Sequence, residues 1–143
     1  MKHDVIEIIN NLAYLQNVKK FGLLPKSTIC TYKYTDSTAN GLTKCIIDFL
    51  KLSGQQAERI SVTGRYSGIR IKSAMQPGSS DISATINGYS VKIEIKIGND
   101  KQSVLQKQYE DEIIKAGGFY FVANSFNQFY DWYCLTFNSD ASK

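Results

Sequence analysis

The sequence predicts an α/β domain, a mixed β-sheet flanked by helices with an extra helix at the N-terminus. Three observations predict it. Apolar residues recur at helical spacing in three segments, residues 81–97 alternate polar and apolar about an Asn-Gly turn, and the order along the chain is helix, strands, helix, strand.

Val5, Ile8, Ile9, Leu12, Leu15 and Val18 lie near helical spacing ahead of Pro25, which predicts a first helix over residues 4–20. Residues 21–38 read as an irregular or partly extended connection. A second helix begins at a Ser37 or Thr38 cap. Leu42, Cys45, Ile46, Phe49 and Leu50 then follow the i, i+3, i+4, i+7, i+8 rule, and Gly54 stops it. Residues 59–62 and 69–71 read as short strands around Gly64-Arg65-Tyr66-Ser67-Gly68. Pro77-Gly78-Ser79-Ser80 is a turn that delivers the chain into a hairpin, which Gly98-Asn99-Asp100 ends. A helix starts near Ser103, shows Val104, Leu105, Tyr109, Ile113 and Ile114 on one face, and stops at Gly117-Gly118. Residues 119–123 are the last core strand. The aromatic-rich stretch 126–137, with Phe126, Phe129, Tyr130, Trp132 and Tyr133, reads as core and dimer contacts rather than as a platform for bases. The boundaries follow: an N-terminal helical extension over 1–37, a main domain over 38–137 and a tail over 138–143.

Composition narrows the function. The 143 residues are 43% hydrophobic and 21% charged, enough for one core without disulfides or a structural metal. No stretch approaches the ~20 apolar residues of a membrane helix, and the N-terminus lacks a signal-peptide pattern. The expectation is a soluble, cytoplasmic protein. Cys30, Cys45 and Cys134 are widely spaced in apolar contexts, as reduced thiols used as small hydrophobes would be. With His3 as the one histidine, a histidine-based triad is excluded and catalysis falls to carboxylates, lysines or cysteines. The net charge is +4, and from Arg59 to Ser80 there are Arg59, Arg65, Arg70 and Lys72 with no acidic residue. Such a stretch can grip a phosphate backbone or simply form a solvated strand pair and loop. Charge alone leaves both open.

The stretch DISATINGYSVKIEIK, residues 81–96, carries the most specific signal. Asn-Gly between alternating runs favours a two-residue turn with positive φ at both positions, which sets Ile86 across from Tyr89, Ala84 from Val91 and Ile82 from Ile93. The same register places Asp81 across from Glu94, and a one-residue slip would turn the apolar set outward. Directly opposed Cβ atoms lie about 4.5–5.5 Å apart, so two bare carboxylates there repel. A hard divalent cation between them turns repulsion into a binding site. Lys96 points to the same face, where its ammonium can stabilise charge growing on a phosphate. The plainer reading is a charged outer face in which Lys92 or Lys96 neutralises Asp81 and Glu94.

The order of parts favours the first of these readings. Gly78-Ser79-Ser80-Asp81, then Glu94-Ile95-Lys96, then Ser103-Val104-Leu105-Gln106 opening a helix, then Gly117-Gly118 and an apolar strand, resembles the PD-(D/E)XK nuclease superfamily with its restriction-endonuclease-like core. Within it the chain is similar to the VRR-NUC branch of virus-type replication-repair nuclease domains, over roughly Thr38 to Tyr133. The resemblance implies that Asp81, Glu94 and the backbone carbonyl of Ile95 hold Mg²⁺ or Mn²⁺, that Lys96 is the catalytic lysine, and that Gln106 is an active-site residue. Gln106 also completes a Ser103-x-x-Gln106 capping box, which is an independent reason for its presence. Ser80 stands where the family commonly has proline. The family often carries a glutamate on its first core helix, whereas residues 38–44 hold no acidic residue and only Asp48 and Glu58 follow. One metal or two is therefore open.

By the same resemblance the protein is expected to be a metal-dependent DNA endonuclease in replication, recombination or repair. Its DNA is branched or four-way-junction DNA, and it acts as a homodimer. Arg65, Tyr66, Arg70 and Lys72 are the expected DNA contacts, with Tyr66 stacking on an exposed base. The alternatives are a DNA-binding or assembly module on a nuclease-like fold without turnover, and a structural protein with a charged hairpin face.

Overall fold

The computed structural model describes residues 5–22, 25–28, 32–60, 65–66, 69–70 and 75–138. Along the chain run α1 (Val5–Phe21), a 3₁₀ turn (Lys26–Thr28), α2 (Ala39–Leu52), β1 (Gln56–Arg59), β2 (Arg65–Tyr66) and β3 (Ile69–Arg70). Then follow β4 (Ile82–Ile86), β5 (Tyr89–Ile95), α3 (Val104–Lys115), β6 (Phe119–Ala123) and α4 (Phe126–Phe137). Strands β1-β4-β5-β6 form one mixed sheet in that order, and β2 pairs with β3. Among the described residues no helix is long and apolar enough to cross a membrane.

The hairpin fixes the sheet. Asn87 and Gly88 have φ of 49° and 86°, the positive pair that a type I′ turn requires. The register is the one the sequence predicts: Ile86 faces Tyr89, Ala84 faces Val91 and Ile82 faces Ile93. β1 extends the sheet on one side, antiparallel to β4, and β6 lies on the other, parallel to β5. Parallel neighbours need a crossover, which α3 supplies.

Ile82, Ala84, Ile86, Val91, Ile93 and Ile95 form the buried face, and α1, α2 and α4 cover it. Helix α2 starts where Thr38 accepts the Gly41 N–H, buries Leu42, Cys45, Ile46, Phe49 and Leu50, and ends before Gly54 at φ 79°. Phe49 meets Phe126, Phe129, Tyr130 and Tyr133 edge to face. α1 sends Val5 and Ile9 into the same core. Burial pushes the Cys45 thiol up to about 11, so it serves as core; Cys134 is also free, and Cys30 and His3 lie outside the described residues.

Two elements differ from expectation. The aromatic stretch 126–137 is a helix, with Ser125 capping it and Phe126, Phe129, Tyr133 and Phe137 buried. The first strand lies at Gln56–Arg59 and not at 59–62, whose last two residues are outside the described set. Only Ala57 of this strand is buried, so its place is set by pairing with β4 and not by an apolar run of its own.

Candidate active site

Ile82 pairs with Ile93 at the end of the β4–β5 ladder, and the same register one residue further brings Asp81 across from Glu94. Asp81 is fixed by its own chain and by β5. Its backbone carbonyl accepts the Ile60 N–H at 2.8 Å, and its Oδ2 accepts the Ile95 N–H at 2.8 Å. The N–H and C=O of one strand residue point to the same edge, so the Ile95 carbonyl lies on the Asp81 side. The next N–H, from Lys96, points the other way and reaches the Ala123 carbonyl at 2.9 Å.

The polar face of this hairpin is not open to water at that end. Glu94 is 2% exposed and Lys96 is 8% exposed. Tyr120 and Val122 pair beside Lys92 and Glu94, and α3 covers this side through Gln106 and through Tyr109, whose ring meets Tyr120 edge to face. Glu94 Oε1 accepts from the Gln106 side-chain amide at 2.5 Å and from Lys96 Nζ at 3.1 Å. Glu94 Oε2 is fully buried and, among the described residues, has no hydrogen-bond partner. Leaving a buried acceptor unsatisfied costs about 1–3 kcal/mol, and more when it is charged.

Charge follows from burial. Desolvation, with the Asp81 charge adding to it, pushes the Glu94 carboxyl up to about 7, against the pull of Lys96. Burial works against the Lys96 ammonium, but Glu94 and Asp100 outweigh it and hold its pKa above the usual lysine value. Lys96 is therefore a cation at neutral pH. Asp100, whose Oδ2 is 3.5 Å from Lys96 Nζ, was not a sequence candidate. Its i+4 spacing from Lys96 was the available signal. Lys92 donates to Ser83 Oγ at 2.6 Å, so it is engaged away from the carboxylate pair.

Gln106 does two things at once. Its Oε1 accepts the Ser103 N–H at 2.9 Å and its own N–H donates to Ser103 Oγ at 3.2 Å, a complete capping box, while its Nε2 holds Glu94. The turn before Asp81 is seated on this helix start. Gly78 has φ 81°, and a Cβ there would lie 2.5 Å from the Leu105 carbonyl carbon and 2.9 Å from the Gln106 nitrogen. Ser80 is buried and donates to the Ile82 carbonyl at 3.1 Å. A serine thus ties down the position before the aspartate.

Asp48 is bound to Tyr34 and Lys44, at 2.8 Å each, on α2. Glu58 is exposed and pairs with Ser83 on β1. Among the described residues no group of three His, Cys, Asp or Glu converges on a metal position. What the site offers a hard cation is two carboxylates, one with a buried unsatisfied oxygen, and a backbone carbonyl on the same edge. That donor set fits an ion that keeps several waters. Arg65 pairs with Arg70 and Tyr66 with Ile69 along the backbone of β2–β3. Those side chains, and all of Lys72, lie outside the described residues.

Compared with protein-family models, with curated proteins and with solved structures, the chain gives no match.

Proposed function

We propose that the chain is a Mg²⁺- or Mn²⁺-dependent DNA endonuclease of PD-(D/E)XK type, with the motif order of the VRR-NUC branch. It would act on branched or four-way-junction DNA as a homodimer. The observation that carries this reading is the buried, unsatisfied Glu94 Oε2 beside Asp81 and the Lys96 ammonium. A structural hairpin gains nothing from burying a carboxylate oxygen without a donor, whereas an oxygen left free in this way is available to a cation.

Asp81, Glu94 and the Ile95 carbonyl would hold the ion, which supplies Lewis-acid charge at the phosphate and favours deprotonation of the attacking water. In the reaction, the attacking water gives a proton to bulk water as its oxygen adds to phosphorus, the bond from phosphorus to the leaving sugar oxygen breaks, and that oxygen takes up a proton from bulk water. Lys96, kept charged by Glu94 and Asp100, stabilises negative charge on the phosphate oxygens and does not act as a base. Gln106 fixes the orientation of Glu94, and the Ile95 N–H fixes Asp81.

The test is cleavage of plasmid, flap and four-way-junction DNA with Mg²⁺ or Mn²⁺ by the wild type, Asp81→Ala and Lys96→Ala. Loss in both variants is expected, and equal cleavage by all three overturns the assignment. The absence of a third converging carboxylate among the described residues favours a second reading, a DNA-binding or assembly module without turnover. Tight DNA binding with no cleavage under either metal would establish it.

A further inference from the structure

A cleft of about 530 Å³ opens beside the start of α2, and Arg59, which lines it, lies across from Ile82 on the α2 face of the sheet. Its walls include Tyr32, Thr38, Asn40, Lys44, Asp48 and Arg59. Arg59 pairs with Ile82, and the next residue, Ile60, donates its N–H to the Asp81 carbonyl. The cleft and the carboxylate pair are therefore joined through one short piece of backbone.

The lining has the chemistry of a nucleotide site. Arg59 is exposed and is held by donating to the neutral Asn40 Oδ1 at 2.9 Å; among the described residues no carboxylate pairs with it. Its remaining N–H groups suit a phosphate. The Tyr32 ring is 52% exposed, with Lys44 Nζ lying 4.6 Å from its centroid. The one acid in the wall, Asp48, is already answered by Lys44 and by the Tyr34 hydroxyl. The wall is also preformed. The Thr35 carbonyl accepts from Cys45 Sγ and approaches Gly41 too closely for a Cβ. A volume of this size is within the ~300–1,000 Å³ of small-molecule sites.

Building on the nuclease reading, we propose that this cleft seats one nucleotide of the bound DNA strand flanking the phosphate to be cut, its base on Tyr32 and its phosphate on Arg59. The partner is a strand and not a free nucleotide, because Arg59 is one residue from the Ile60 N–H that holds the Asp81 carbonyl.

The experiment measures anisotropy of a short fluorescein-labelled oligothymidylate in EDTA, where no cleavage occurs, with unlabelled thymidine monophosphate as competitor. Arg59→Gln is expected to weaken binding about tenfold and to lower the salt slope by about one. Tyr32→Ala is expected to weaken it about tenfold, with Tyr32→Phe restoring it. The Arg59 and Tyr32 variants should melt as the wild type does because both side chains are exposed. Wild-type affinity in both Arg59→Gln and Tyr32→Ala overturns the proposal, as does competition by the monophosphate at the strand's own concentration. Cleavage assays keep the two readings apart. Cleavage unchanged in these variants removes the cleft alone, whereas strand binding that depends on Arg59 without any metal-dependent cleavage removes the nuclease alone.

Discussion

Gln106 donates its side-chain amide to Glu94 Oε1 while its own Oε1 accepts the Ser103 N–H at 2.9 Å, so one residue both starts α3 and orients a buried carboxylate. The two roles separate by substitution. Gln106→Glu keeps an acceptor for Ser103 but removes the donor to Glu94, and Mn²⁺-dependent cleavage is expected to fall by about tenfold or more. Gln106→Ala loses both contacts and should cost a further ~1 kcal/mol in chemical denaturation. Wild-type cleavage by Gln106→Glu would leave the residue a helix cap and nothing else.

Gly78→Ala tests how rigidly the turn before Asp81 is held. A side chain at φ 81° is strained, and its Cβ would enter the space of the Leu105 carbonyl. A loss of at least about 2 kcal/mol in urea unfolding is expected. A change within the ordinary surface range of about 0.5 kcal/mol would mean that the turn shifts freely off α3.

The raised Glu94 pKa sets a pH dependence of stability. The folded protein holds this proton more tightly than the unfolded chain, whose value is near 4.5, so the stabilisation is complete below 4.5 and is lost as pH rises through about 7. In EDTA, thermal stability should therefore drop across that window. Asp81→Asn removes the neighbouring charge while keeping an acceptor for Ile95, so the drop should become shallower. Carboxyl NMR of Glu94 in both proteins reads this directly, and an unchanged pKa in Asp81→Asn would show that the two groups do not interact.

Proton and cation compete for the same carboxylate. Below about 7, Mn²⁺ affinity measured by calorimetry should fall about tenfold per pH unit, and it should level above that value. Adding the metal should in turn shift the Glu94 titration downward. A flat affinity from pH 5 to 8 would place the ion elsewhere.

Much of this site was legible because its determinants are local. Asn87-Gly88 fixed the hairpin register by turn geometry alone, and register placed Asp81 against Glu94 without any knowledge of the rest of the sheet. Helix α3 was legible by its capping box, and α2 by its apolar stripe. The alternation of residues 89–96 could not reveal that Glu94 and Lys96 are buried, because the cover comes from α3 and from Tyr120 on a parallel neighbour. For the same reason β1, polar except at Ala57, was placed too late in the chain. Helix α4 was readable: Ser125-x-x-Gln128 precedes aromatics at helical spacing, the same signature that identified α3.

The carboxylate site is also contiguous in the chain. Asp81 to Ile95 is a separation of 14 residues and Glu94 to Gln106 one of 12, so these two side-chain contacts of the site close short loops. Short loops close at small entropic cost and early, which makes assembly of this constellation a local folding event. The cleft at Arg59 and Asn40 instead needs the α2 region to dock on the sheet.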